Sequence, residues 1–139
     1  KLYSFEDGSE AVSELVRSGD AIVVSSLARV EVPAALWRKH RSGSLDVNDV
    51  RALLGSFEVD WYGSASEDPL VIPVESRGAV LASAAAVAGI HGLRSLDAIQ
   101  LASALAARSV VSDVDSFLAY DRELSEAAAT EGFAVSLPG

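Results

Sequence analysis

Apolar residues fall into two alternating patterns along this chain, short β-branched runs and longer stripes at spacings of three and four. Lys1 to Phe5 is short and apolar, and Ala11, Leu15 and Val16 then form a helical stripe that ends near Ser18-Gly19. AIVVSS, Ala21 to Ser26, is a compact apolar run that predicts a buried strand. Leu27, Val30, Ala34 and Trp37 share one helical face, with Pro33 inside the pattern. Proline in a helix interior costs about 3 kcal/mol, so this helix is expected to start near Val32 or to bend there. Val47, Val50, Leu53 and Leu54 predict a helix over Asp46 to Phe57, while the aromatic-rich Phe57 to Tyr62 reads as a strand or a ragged helix end. LVIPV, Leu70 to Val74, is strand-like, and Pro73 places it at a sheet edge or strand end.

Ser76 to Ile90 is Ala-rich and apolar nearly all round, which predicts a buried helix or one packed against a second chain. His91-Gly92 stops it. The stretch LRSLDAIQLASAL, Leu93 to Leu105, then opens a helix of about Ser95 to Arg108, with Ser95 as its expected N-cap and Leu96, Ile99, Ala102 and Ala106 as its apolar stripe. A strand over Ser116 to Tyr120, a helix over Arg122 to Glu131 and a strand over Phe133 to Leu137 complete the chain. Strands alternating with helices imply an α/β fold, a parallel sheet with helices on both faces.

Composition narrows the function classes. At 139 residues the chain fits one domain, and half of its residues are hydrophobic, which argues against disorder. It has no cysteine, which excludes disulfides, zinc–thiolate sites and thiol catalysis. That fits a reducing compartment, and a cytoplasmic location is the expectation. No uninterrupted apolar run reaches the length of a membrane span. The formal charge of −9 argues against a broad basic surface that grips nucleic acid. A nucleic-acid substrate would have to be held by local basic residues and by metal ions bridging acid to phosphate. There is no Gly-rich phosphate loop with Lys and no G-x-S-x-G elbow. The only lysines, Lys1 and Lys39, are poorly placed for a phospho-accepting receiver domain.

Sites in open parallel sheets form beyond the carboxyl ends of the strands. Three acids fit that position: Glu31, five residues beyond the AIVVSS strand; Asp97, in the first turn of its helix; and Asp121, just past the Ser116–Tyr120 strand. Three close carboxylates need a counter-charge, and a bound Mg2+ or Mn2+ would supply it and support phosphodiester hydrolysis. The plainer reading is a helix-dipole Asp, a surface Glu and an N-cap Asp. Arg94 and Ser26 are candidate RNA contacts, although Ser25 and Ser26 also suit a helix cap. The cluster Arg38-Lys39-His40-Arg41 either complements a helix C-terminus or touches RNA phosphate, the first being favoured. His40 and His91 lack metal-ligand spacing and read as surface or loop-end residues. Trp37, Trp61 and Tyr62 read as packing residues before base-stacking ones. Asp113 and Asp115 should lie at the amino end of their strand, away from the chemistry, and Tyr120 should point into the core.

SSLARVEVPAALWR (Ser25 to Arg38), LRSLDAIQLASAL and FLAYDREL (Phe117 to Leu124) resemble, in order and spacing, three motifs of PIN-domain nucleases, and most closely those of VapC-type toxins. The resemblance implies a three-layer α/β/α PIN-like domain with a parallel sheet of about five strands. It implies a divalent-metal endoribonuclease using Mg2+ or Mn2+, often a homodimer, inhibited by a small antitoxin. Glu31, Asp97 and Asp121 match its acidic positions and would be both catalytic and metal-binding. The family's first strand also carries an Asp, and Lys1-Leu2-Tyr3 looks like the tail of that motif. Residues 1–139 are therefore expected to form a single domain whose first strand and Asp lie upstream of Lys1, in keeping with the absence of any Met. Ala119 stands where many relatives have Thr or Ser. The alternative function is a non-catalytic PIN-like module for binding and dimerisation.

Overall fold

The computed structural model describes residues 22–111, 114–119 and 121–136. The first strand, β1 (Ile22–Ser25), pairs in parallel with β2 (Val71–Val74), Ile22 opposite Val71 and Ser25 opposite Val74. The ladder continues past both ends, since Ile22 N donates to the Leu70 carbonyl and Ser26 N to that of Val74, each at 2.8 Å. Pro73, which has no N–H to give, lies opposite Val24 in this pair, and among the described residues β2 has no second neighbour.

Helix α1 (Ala28–Arg41) starts four residues earlier than the proline suggested. Ser25 Oγ accepts from Leu27 N at 3.2 Å, and Arg29 N and Val30 N donate three residues back, to Ser26 and Leu27. This tight opening turn forms ahead of Pro33, which then removes only one donor from a helix already under way. Leu36, fully buried, anchors it.

Helix α2 (Val47–Tyr62) is capped by Asp46, whose Oδ1 accepts from Asp49 N at 2.9 Å. It absorbs the whole Phe57–Tyr62 stretch, so that segment is helix and not strand. The reason is side-chain spacing. Phe57 and Trp61, one turn apart, are both buried with ring centroids 5.5 Å apart, and they share a cluster with Val71 of β2. Gly63 ends the helix at φ +77, where a Cβ would meet Glu67 O at 2.8 Å and Pro69 Cδ at 2.9 Å.

Helices α3 (Gly78–His91) and α4 (Ser95–Val110) turn through 117° about Gly92, which takes φ +67. Sequence pattern alone suggested that α3 is buried or packs against a second chain. Within this chain it buries Ala84 and Val87 and leaves Leu81 and Ile90 exposed, one on either flank of the buried face. Alanine's small side chain adds apolar character without demanding full cover. Helix α4 is the central element, with Ala98, Leu101, Ala102 and Ser103 all buried. Its N-cap is Arg94, not Ser95, which is the first helical residue.

Strand β3 (Ser116–Leu118) pairs in parallel with β4 (Ala134–Ser136), and helix α5 (Arg122–Thr130) joins them. Phe117, Ala119, Leu124, Ala128 and Phe133 complete one core cluster with Leu101 and Ala102. The fold is thus mixed α/β with short parallel strands. The described strands form two parallel pairs that are not hydrogen-bonded to each other. Lys1 to Phe5, the Ala11–Val16 stripe, Ala21, Asp113, Tyr120 and Leu137 lie outside the described residues. Among described residues, no single helix is long and apolar enough to cross a membrane.

The burial difference along α4 makes a direct prediction. Leu101→Ala, at a fully buried position, should lower unfolding free energy by about 2–5 kcal/mol, whereas Leu96→Ala, at a position about half exposed, should cost well under 1 kcal/mol. Urea denaturation of both variants checks this, and similar costs would show that α4 is not the packing centre.

Candidate active site

Buried Leu93 and Ala98 flank the mouth of α4 and fix its first turn in the core. Asp97, the third helical residue, is thereby held half-buried at the helix N-terminus. Asp121 reaches the same place from the other strand pair. It follows β3 by three residues and caps α5, with Oδ1 accepting from Leu124 N at 2.8 Å. Leu124, 3 % exposed, pins that cap to the core.

The electrostatics show which groups meet. Burial pushes the Asp97 carboxyl above its ordinary value, and the negative charge of Asp121 pushes it further the same way. Arg94 opposes this as the local cation, while Glu123 adds to it as a further anion. The structure therefore brings Asp97, Asp121, Glu123 and Arg94 into one electrostatic neighbourhood. Glu123 was assigned to solvated helix surface by its sequence context. The signal that could have found it is its place in the first turn of α5, two residues after the cap that faces Asp97.

Glu31 sits in the first turn of α1, half-buried, one turn beyond the end of β1. It is not drawn into the Asp97–Asp121 neighbourhood. Among the described residues no three His, Cys, Asp or Glu side chains form a group able to hold a metal. The donor set is therefore a carboxylate pair with a neighbouring Glu. A pair is chemically sufficient for a hard divalent cation that keeps several waters.

The remaining candidates sort by contact. Ser25 is buried and spends its hydroxyl on the entry to α1, with Ser76 Oγ 3.4 Å away. Ser26 joins the strand ladder through its backbone. Ala119 is part of the core. Asp115 lies at the amino end of β3, where its carbonyl accepts from Ala134 N at 2.9 Å and its Oδ1 from the Ser116 hydroxyl at 3.1 Å. Trp61 is a core residue, whereas Tyr62 is largely exposed and accepts from Arg29 Nε through its hydroxyl at 3.1 Å. His91, at the end of α3, pairs with Glu131 Oε2 at 2.7 Å and so ties the turn before α4 to the end of α5. Beside it an open cleft of about 350 Å³ is lined by His91, Gly92, Glu123 and Glu126.

No family model matches the chain. It is similar to Ribonuclease VapC35 of Mycobacterium tuberculosis (strain CDC 1551 / Oshkosh), with 33 % identity over all of this chain and 90 % of that relative. It is also 38 % identical to Ribonuclease VapC45 of the same strain, over 76 % of this chain and 69 % of the relative, and equally to Ribonuclease VapC49 of strain ATCC 25618 / H37Rv.

The raised carboxyl predicts a pH-dependent stability. Below the ordinary carboxylate range Asp97 is protonated in folded and unfolded chains alike and costs nothing. As pH rises the unfolded chain ionises first, so the cost appears, and it is complete above the raised folded value. Asp97→Asn should therefore raise Tm at pH 7, with the gain fading as pH falls into the ordinary carboxylate range. Thermal melts across that range test it, and a variant that melts below the wild type at pH 7 would contradict it.

Proposed function

The chain belongs to the VapC ribonuclease family, and on that premise we propose that it is a divalent-metal-dependent endoribonuclease acting as the toxin of a toxin–antitoxin pair. One observation carries the reading. Asp97 and Asp121 arrive from different elements at one point, where partial burial and mutual repulsion penalise the ionised form of Asp97. A site that accumulates this cost and offers one arginine in return has the chemistry of a hard-cation receptor. Asp97 and Asp121 would hold Mg2+ or Mn2+ directly, and Glu31, which stands apart from them in the first turn of α1, would act on the ion through its retained waters. When bound, the ion supplies charge neutralisation at the RNA phosphodiester and activation of water.

The chain's own residues do the rest. The cap bond from Leu124 N fixes the Asp121 carboxylate, so little ordering is needed on binding. The buried floor of Leu93 and Ala98 limits how far Asp97 can move. Arg94, exposed beside the acids, is placed to meet substrate phosphate, and Ser26 is a candidate contact at the end of β1. A small antitoxin carrying a basic segment would satisfy the same acids, and two copies would associate through the apolar residues that α3 leaves exposed, Leu81 and Ile90 among them.

Cleavage of a defined RNA pool by the full-length protein, with Mg2+ or Mn2+ and with chelator, tests the reading. Asp97→Asn and Asp121→Asn should each lose about 100-fold or more, since even outer-shell changes at metal sites cost about 10–100-fold. Asparagine caps a helix about as well as aspartate, so Asp121→Asn should keep its thermal stability within about 1 kcal/mol of wild type while losing activity. Undiminished cleavage in both variants would remove the acidic pair from the mechanism. A full-length protein that cuts nothing and binds no divalent ion would instead be a non-catalytic binding and dimerisation module.

A further inference from the structure

The C-terminus of α1 carries Arg38, Lys39, His40 and Arg41, and Arg51 follows in the second turn of α2. Residues 38–51 hold four cations against Asp46 and Asp49, a net +2 inside a chain of −9. Basic residues at a helix end are commonly there to satisfy its last carbonyls. Here that work is already done for the Arg38, Lys39 and His40 carbonyls. Ser42 N donates to the Arg38 carbonyl at 3.0 Å, Gly43 N to His40 at 3.0 Å and Ser44 N to Lys39 at 2.9 Å, and the Ser42 hydroxyl adds a second bond to Lys39 at 3.0 Å. His40 is also committed to the turn, donating from Nδ1 to the Leu45 carbonyl at 3.0 Å and packing edge-on to Trp37.

The arginines are left without such a task. Arg38, Arg41 and Arg51 are exposed, and among the described residues none of the three forms an ion pair with a carboxylate. Arg38 and Arg41, three residues apart, are neighbours on one helix face. A helix dipole amounts to roughly half a charge and does not call for this many cations. We propose that the α1–α2 turn is an auxiliary phosphate-binding surface for RNA, with Arg38, Arg41 and Arg51 as its contacts. The inference rests on the nuclease reading and gives it a substrate requirement. Ten residues of helix separate Glu31 from Arg41, about 15 Å. For a stacked strand, which rises about 3.4 Å per nucleotide, an RNA has to extend roughly four to five phosphates from the level of Glu31 to reach the patch.

The test compares two backgrounds. In the non-cutting Asp97→Asn protein, affinity for a labelled single-stranded RNA of about 20 nucleotides is measured by anisotropy across a salt series. Replacing Arg38, Arg41 and Arg51 together by Gln should flatten the slope of log K against log salt by about 2 and weaken binding about ten- to fifty-fold near 0.15 M salt. Replacing all three by Lys should keep most of the slope. In the otherwise wild-type protein, the Gln variant should raise KM for long RNA by about ten-fold and leave cleavage of a tetranucleotide unchanged. An unaltered affinity and slope in the Gln variant would overturn the proposal, whatever the variant does to association with a protein partner. Wild-type protein that cuts no RNA, yet whose RNA binding loses slope in the Gln variant, would sink the nuclease reading and leave the patch standing.

Discussion

The packing of α4 is the constraint on which the rest of this structure depends. It contacts β1 and β2, while its fully buried Leu101 and Ala102 share a core cluster with Phe117 of β3 and Val135 of β4. Because the pairs share no hydrogen bonds among the described residues, side-chain packing of this kind is what relates them. The same burial decides where Asp97 sits. A carboxylate three residues into a helix anchored by Leu93 and Ala98 is held partly buried. The stability of the fold and the electrostatic tension at the site therefore have one origin.

That tension is concentrated at Asp97. An Asp at a helix N-terminus is ordinarily stabilised by the dipole. Here desolvation and the facing Asp121 outweigh that benefit, and Asp97 ends with a raised rather than a lowered carboxyl. Asp121 escapes the conflict by serving two purposes, since its side chain also closes the first turn of α5. One acid is thus retained for a structural reason and the other against one. An unfavourable placement that the fold nevertheless enforces says more about a site than any number of comfortable surface acids.

How far the sequence could be read depended on the range of the interaction involved. Helix stripes and β-branched runs report local periodicity, and β1, β2, α4 and α5 could be located from them. The reading fell short where a second signal competed with the first. Pro33 suggested a helix start or a bend near Val32, but Arg29 N and Val30 N already donate to the Ser26 and Leu27 carbonyls, so α1 is under way ahead of it. The aromatics of Phe57 to Tyr62 left strand and helix end open, and the packing of Phe57 on Trp61, one helical turn apart, decides for helix. The acids divide the same way. The pairing of Asp97 with Asp121 followed from their positions at element ends. The approach of Glu123, and the place of Glu31 on a helix that starts four residues early, depend on helix phase, which no spacing rule supplies.

Charge distribution supplies the last step. A chain of −9 that acts on a polyanion faces repulsion at every approach except where cations are gathered. Arg94 stands at the acids themselves, and a second group stands at the far end of α1. Between them lies a helix that leaves the strand end beside the site and delivers its cations about two and a half turns further on. An isolated arginine beside two carboxylates would be largely neutralised by them and would attract little. Cations whose neighbouring carbonyls are already satisfied by backbone keep their field for solvent and substrate. On the proposed nuclease reading the basic turn is therefore not a counterweight to the acidic site but its complement. It would recruit an anionic substrate to an anionic protein, while the acidic pair would hold the cation.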